Sequence, residues 1–468
     1  MILKCLPHHA GLPPVVILGG ECNALSVVRD LGRMGVTVYA IGESDSSVVW
    51  SRYCRWIDVE IEKGDIEGSW ARFLLGPASD HLKGAVVLAC SDSGIQVLVR
   101  HRDALLARYR LDESDPGAQL LMLDKLTTYE HGRAAGVPTP RFWKTSSRQE
   151  VLALRESLVF PLMVKPRLSH LFEEKFGRKH VIVDSFEQLL AAFDAANNAG
   201  MDMLLMEHIP GGDDRLCSYY TYLDDRGEPQ FHFTKRIIRR FPAGMGTACY
   251  HVTDWIPELA ELGNKLFKAV GLRGLANIEF KQDPRDGQYK LIECNARFTA
   301  SNCLVSASGF SLAAFVYNRI VGRPQRPMEK YRIGLRLWDP FRDWKAFKEL
   351  RGMGRLTFFK WLGSVFCRQT FPYFSWSDPM PAVARVLKPV RRWFKGGRKK
   401  KSGTASMPDG VSRHPERSEG SGREYQATSV HADPSVAARF HEDDGLSLGT
   451  EFTRDGSALK DTDARVVA

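Results

Sequence analysis

The 468-residue chain has nine cysteines but no Cys-x-x-Cys pair. An odd number of scattered thiols fits free cysteines in a reducing cytoplasm better than a disulfide framework. No apolar run is long enough to span a bilayer. The opening residues, MILKCLPHHAGLPP, contain no secretory h-region. Together these absences set the expectation of a cytoplasmic protein. The dinucleotide fingerprint is missing too, because the glycines of GGECNA lack G-x-G-x-x-G spacing. A nicotinamide site is therefore disfavoured. Internal repeats are absent as well.

What is present is enough apolar residue, 44%, for an ordinary globular protein, and enough length for two or three domains. VVILGG (15–20), a helical stretch at 24–34 and VTVYAIG (36–42) read as a βαβ start. AVVLAC (85–90) is a further strand, followed by SDSG and a helix running to about Tyr109. Asp92, just past that strand, stands where open α/β sheets bind ligands, or caps the helix that follows. LDKLTTYEHGRAAGVPTP predicts one helix stopped by Gly136 and Pro138. Strands are predicted at VFPLMVKPR (159–167), ending on Lys165, and at 203–206, ending on Glu207. The latter leads into a loop of Pro210, Gly211, Gly212, Asp213 and Asp214. A hairpin across DDRG and a helix PELAELGNKLFKAVG follow.

The most informative stretch is LANIEFKQDPRDGQYKLIECNARF, two alternating runs joined by a DPRDG turn. Strand alternation points Glu293, Asn295 and Arg297 one way and Ile292, Cys294, Ala296 and Phe298 toward a core. Folding about the turn sets Glu279 opposite or diagonal to Glu293. Opposed carboxylates repel, unless both hold a divalent cation. Two carboxylates and an amide oxygen suit Mg²⁺, which shares such sites with phosphates. Arg297 would reach the same phosphates through its fork of donors. A surface ion-pair cluster is the alternative for these residues.

Taken in order, VVILGG…ALSVVRDLGRMG, LDKLTTYEHGRAAGVPTP, FPLMVKP, LMEHIPGGDD and GLANIEF…LIECNARF resemble the ATP-grasp superfamily over residues 15 to 325. The nearest likeness is to carboxylate–amine ligases related to D-aspartate ligase. The resemblance implies an α/β (α+β) fold with a Rossmann-like pre-ATP-grasp domain at 1–115 and an ATP-grasp domain at 116–325. It implies ATP and Mg²⁺, with Mn²⁺ as a substitute, and small-molecule carboxylate and amine substrates. Lys125 and Lys165 match phosphate-binding lysines, Glu207 and Ile209 the purine contacts, and Asp214 the ribose carboxylate. Glu279, Glu293 and Asn295 match the metal ligands, while Arg297 and Lys165 would act on the transferred phosphate. The implied reaction is amide formation through an acyl phosphate, kept from water by a lid at 167–180. That loop departs from the family in having one glycine, Gly177, although Ser169, His170, Arg178 and Lys179 could replace backbone donors. Asp214 is one methylene shorter than the usual glutamate.

The net charge of +10 is unevenly distributed. Residues 326–395 are rich in Trp, Phe, Lys and Arg, and suit either packing on the core or a membrane interface. ARVLKPVRRWFKGGRKKK (384–401) has no acidic residue and suits anionic lipid, at the inner membrane face, or an acidic polymer. No nucleic-acid module accompanies it. Lys235, Arg236, Arg239 and Arg240 could bind an acidic substrate or form a solvated basic strand edge. Residues 396–468 are expected to be a disordered tail, poor in large apolar residues. Oligomeric state is not set by the sequence, and a dimer is compatible with it. The alternative to a ligase is a non-catalytic ATP-binding protein of the same fold.

Overall fold

The computed structural model describes residues 11–394 except 63, 167–179, 202, 245, 324–327 and 329. The tail at 396–468 and, His180 apart, the loop expected as a lid lie outside the described residues. All eight described cysteines are free thiols.

Four parallel strands open the chain: β1 (Val15–Leu18), β2 (Val38–Ile41), β3 (Cys54–Trp56) and β4 (Val86–Ala89), in the order β3-β2-β1-β4. Every residue of β1 and β4 is buried, as befits central strands covered on both faces. Gly19 (φ +67°) and Gly20 (φ +90°) turn the chain out of β1. A Cβ on Gly19 would stand 2.3 Å from Ser91 Oγ, and one on Gly20 2.7 Å from Cys90 Cβ. These glycines serve the close approach of β1 to β4, which explains a glycine pair without a dinucleotide fingerprint.

The helix expected in LDKLTTYEHGRAAGVPTP is Lys125–Ala134, preceded by a separate helix, Pro116–Leu123. They divide at Asp124, whose side chain accepts from the amides of Leu126 and Thr127. This N-cap makes Lys125 the first residue of the second helix.

A four-stranded antiparallel sheet follows, built from β5 (Phe142–Thr145), β6 (Leu162–Pro166), β7 (Val181–Val183) and β8 (Met203–Glu207) in the order β5-β8-β6-β7. Its own core contains Val164, Leu189, Phe193 and Leu205. The larger sheet has seven strands: β9 (Leu216–Leu223), β10 (Phe233–Phe241), β11 (Thr247–Asp254), β12 (Gly274–Gln282), β13 (Tyr289–Asn295), β14 (Arg336–Trp338) and β15 (Gln369–Thr370). They run in the order β13-β12-β9-β10-β11-β14-β15. Strand β9, LCSYYTYL, is buried at every residue, and its aromatic and β-branched residues suit a pleated core strand. Alternation sends Tyr219 into a core with the helices Lys125–Ala134 and Pro257–Ala269. Tyr220 and Tyr222 enter the opposite core, shared with β1 and the helices Asn302–Ser308 and Leu312–Ile320. Each such buried ring stabilises by roughly 1.5–3 kcal/mol.

Residues beyond β13 are integrated into this body. Asp343, on the helix Pro340–Gly352, accepts from Arg239 Nε at 2.6 Å and from the indoles of Trp338 and Trp361, both at 2.9 Å. Asp378 returns to the first helix. It binds Arg29 Nε at 3.0 Å, Ser51 Oγ at 2.7 Å and the Arg52 amide at 2.9 Å. Arg385 and Lys388 pair with Asp339 and Asp45, each at 2.9 Å. Core packing thus accounts for much of the aromatic and basic segment. Phe359, Phe366 and Trp376 nevertheless remain 82%, 78% and 90% exposed.

Replacing Asp378 by Ala would leave Arg29 buried without its anion, a loss of about 3–5 kcal/mol for pairs of this kind. Urea unfolding of the Asp378→Ala variant should show a loss in that range. A loss below about 1 kcal/mol would mean that the pair does not anchor this segment.

Candidate active site between two sheets

The hairpin β12–β13 sets Glu279 directly opposite Glu293 and Asn277 opposite Asn295. The register slips by one residue between the pairs Glu279–Glu293 and Phe280–Leu291, so Ile292 is an extra residue, a β-bulge. The bulge lets Leu291 and Cys294 both enter the core while Glu293 faces the cleft. This corrects one expectation. Ile292 is not a core residue; it is half-buried, and its carbonyl accepts from Tyr129 Oη at 2.6 Å.

Cations surround the two carboxylates. Lys125 Nζ lies 3.6 Å from Glu293 Oε2. Lys165, on β6 of the smaller sheet, is within electrostatic reach of Lys125 and Glu293. Arg297 follows β13, and its Nε donates to Asp92 Oδ1 at 2.6 Å. Asp92 is therefore not the helix cap; Ser91 is, accepting from the Gly94 amide. Burial and the neighbouring Glu293 charge raise Glu279 above the usual carboxylate range, against the pull of Lys235, Arg240 and Arg297. Burial would raise Glu293 as well, but Lys125, Lys165 and Arg297 outweigh it and hold that carboxylate low. Burial and the charge of Lys125 bring Lys165 down to about 8.

Arg240 is paired with Asp213 and Arg297 with Asp92. Lys125, Lys165 and Lys235 remain against Glu279 and Glu293, three positive charges against two negative. The cleft thus attracts a polyanion, more so with a divalent cation on the glutamates. Among the described residues no three His, Cys, Asp or Glu side chains form a metal group. A cation here would rest on Glu279, Glu293 and the Asn295 oxygen, with water or ligand oxygens completing its shell. That hard, incomplete oxygen set suits Mg²⁺ rather than zinc.

The second group of expected residues is differently disposed. Glu207 ends β8, buried, with its carboxylate bound by Arg285 Nη2 at 2.7 Å and the Arg141 amide at 3.0 Å. Burial works to raise it, yet Arg141 and Arg285 keep it below the ordinary range. The Ile209 carbonyl accepts from Lys281 Nζ at 2.8 Å, as does that of Gly211 at 3.0 Å. Both groups expected at a purine therefore have internal partners. Asp214 is exposed on the turn Asp213–Arg215. The structure thus gathers Lys125, Lys165, Glu279, Glu293 and Arg297, with Asn295 alongside. It does not bring Glu207, Ile209 or Asp214 to the glutamate pair, although Lys281 ties their loop to β12.

Two residues escaped the sequence reading. Asn277 and Lys281 flank Glu279 at i−2 and i+2, on the same strand face. The alternation in LANIEFKQ held that signal.

Comparison with known proteins agrees with this architecture. Residues 255–322 match the family described as carbamoyl-phosphate synthase L chain, ATP binding domain. The chain is 24% identical to a D-aspartate ligase of Enterococcus faecium over 66% of its length and 77% of that protein. It is 31% identical to a D-alanine–D-alanine ligase of Ectopseudomonas mendocina over 38% of its length and 56% of that protein. A biotin carboxylase from Campylobacter jejuni superposes with a TM-score of 0.55 at 16% identity, covering 69% of this chain and 74% of that one. The fold is that of the ATP-grasp proteins. Within that class the chain is a homologue of D-aspartate ligase and D-alanine–D-alanine ligase.

Lys165 gives the cleft a testable pH dependence. Its pKa, lowered to about 8, keeps it charged at pH 7 and mostly neutral at pH 9 in the free protein. A triphosphate favours the charged form, so binding takes up a proton and weakens as pH rises. The Kd of an Mg·ATP analogue should rise by up to about tenfold between pH 7 and 9, the most one proton allows. Lys165→Arg, which stays charged, should flatten the profile. An equally flat wild-type profile in equilibrium dialysis would contradict this account of Lys165.

Proposed function

We propose that this protein is an ATP-dependent carboxylate–amine ligase. It would phosphorylate a small carboxylate, let an amine displace the phosphate, and release an amide, ADP and phosphate. The observation carrying this reading is the Glu279–Glu293 pair, opposed across one hairpin and ringed by Lys125, Lys165 and Arg297. The homologues are themselves ligases by name, one of them of D-aspartate.

A carboxylate is a poor electrophile, and its charge repels nucleophiles. Phosphorylation supplies a leaving group, so the protein's task is positioning and charge neutralisation. Glu279, Glu293 and Asn295 would hold Mg²⁺, or Mn²⁺ in its place. When bound, the cation offsets triphosphate charge. Lys125 and Lys165 would hold the terminal phosphates from a helix start and from the smaller sheet. Arg297, oriented by Asp92 at 2.6 Å, would face the phosphoryl group and the carboxylate that receives it. Glu207, Ile209 and Asp214 would meet the nucleoside, with Arg285 and Lys281 giving up their present partners as it enters.

ADP release from Mg·ATP across a panel of carboxylates and amines tests the reading. Some pair should stimulate release, and Glu293→Gln should lower it by about 100-fold or more, as when an electrostatic contact to the transition state is lost. Near-normal turnover in that variant would remove the metal assignment. Nucleotide binding without stimulation by any pair would favour the non-catalytic alternative.

A second reading concerns the surface. Between Phe341 and Trp376 every exposed charged residue is basic: Lys345, Lys348, Arg351, Arg355, Lys360 and Arg368. They accompany the outward Phe359, Phe366 and Trp376. Aromatic and cationic side chains together suit the interface of an anionic bilayer. We propose that this face rests on such a membrane. The protein should co-sediment with phosphatidylserine vesicles but not with phosphatidylcholine vesicles. The triple variant Phe359→Ser, Phe366→Ser, Trp376→Ser should lose most of that binding. Undiminished co-sedimentation would refute the role of this face.

A further inference from the structure

Beside the glutamate pair lies a recess of buried polar groups that the ligase reading leaves without a task. The paired positions Lys235–Ser218, Ser218–Glu279 and Glu279–Glu293 put these four side chains in one row across β10, β9, β12 and β13, on one face. Asn277 precedes Glu279 by two residues on that face, and His251 follows the row one pleat away, through Thr253 opposite Lys235. Lys235, Ser218, Asn277 and His251 are 2%, 2%, 1% and 5% exposed. Ser218 Oγ, Asn277 Oδ1 and His251 Nδ1 lack any hydrogen-bond partner among the described residues. Asn277 Nδ2 donates to the Tyr219 carbonyl at 3.3 Å, which fixes the direction of the open oxygen.

The cations of this stretch divide sharply. Arg236 is bound to Asp254 at 2.6 Å, Arg239 to Asp343 at 2.6 Å and Arg240 to Asp213 at 2.8 Å. Lys235 alone of the four has no ion pair among the described residues. Burial pushes it below the ordinary lysine range, and the Glu279 charge partly restores it. A buried polar atom left unpaired costs about 1–3 kcal/mol. A cluster of them beside a lone ammonium on one face is suited to a polar ligand.

Position separates this recess from the reacting centre. Neighbouring strands lie about 4.8 Å apart, so Lys235 on β10 stands three spacings, about 14 Å, from Glu293 on β13. Arg297 lies beyond the end of β13, on the far side of Glu279 from Lys235. The two cations therefore flank Glu279 from opposite sides, so that one molecule with two anionic groups can meet both.

Resting on the ligase reading, we infer that the substrate carries a second anionic group, remote from the carboxylate that is activated, and that Lys235 and Ser218 bind it. The carboxylate to be phosphorylated lies toward Arg297. Asn277 Oδ1 accepts from an N–H of the same molecule. Lys235 is thus a specificity-determining residue and takes no part in phosphoryl transfer.

Calorimetric titration of the protein saturated with Mg²⁺ and a non-hydrolysable ATP analogue tests this. The probes are alanine, aspartate and O-phosphoserine, each as both enantiomers. Alanine has one anionic group, aspartate adds a carboxylate, and phosphoserine adds a phosphate. At least one dianion should bind tenfold or more tightly than alanine, and which one shows the kind of anion. Lys235→Met should remove that preference and weaken the ATP analogue far less than it weakens the dianion. Ser218→Ala, which deletes a hydroxyl with no internal partner, should weaken dianion binding severalfold without altering the melting temperature. The inference is overturned if no dianion surpasses alanine. It is also overturned if Lys235→Met keeps the preference, or weakens the analogue as much as the dianion, which would make Lys235 part of the nucleotide site. Absence of analogue binding in the wild-type protein would count against the ligase reading itself, a separate result.

Discussion

Repulsion between Glu279 and Glu293 is the constraint that organises the centre of this molecule. Cross-strand carboxylates are unfavourable, and nothing in the hairpin alone would hold them together. They stay opposed because the other side of the ribbon is anchored: Ile278, Phe280, Leu291 and Cys294 are all core residues. Apolar burial below thus holds charges in contact above. The compensating cations come from three separate elements, a helix start, the smaller sheet and the segment after β13. Anything that fills the cleft between the sheets acts on all of them at once.

Much of this was legible because a strand has a period of two and a turn has a recognisable composition. The alternation in LIECNARF and the DPRDG turn are local signals, and they brought Glu279 to Glu293. Lys125 and Lys165 were legible by their places at a helix start and a strand end. What escaped depends on contacts between distant segments. Glu207 was expected to face a purine, but Arg285, contributed by the hairpin loop, binds it. Asp92 was weighed as a helix cap, yet its neighbour Ser91 caps while Asp92 reaches Arg297, more than two hundred residues away. Asp124, at the head of LDKLTTYEHG, was not singled out as a cap, since it resembles any other polar surface position until its side chain is seen to turn onto two amides.

The basic residues show the same limit in another form. Charge counted along a sequence does not distinguish a cation that holds the fold from one that meets a ligand. Arg236, Arg239 and Arg240 each found an acidic partner from elsewhere in the chain, and Lys235 has none among the described residues. The C-terminal segment divides likewise. Asp343 draws the segment's Trp338 and Trp361 inward, Asp343 and Asp378 tie it to Arg239 and Arg29 of the body, and Lys345, Lys348, Lys360 and the outward aromatic rings face out.

The bulge at Ile292 carries a consequence for how the centre is encoded. In a regular ribbon, the odd and even positions of a strand are committed to opposite sides for its whole length. One surplus residue resets that commitment midway, so that Leu291 can look down while Glu293 looks up. Removing this one isoleucine would restore strict alternation with the leucine still below and the glutamate still above, whereas keeping it in a regular, unbulged ribbon would turn the glutamate into the oily interior. Identity of side chains is therefore only half of the specification; the other half is arithmetic.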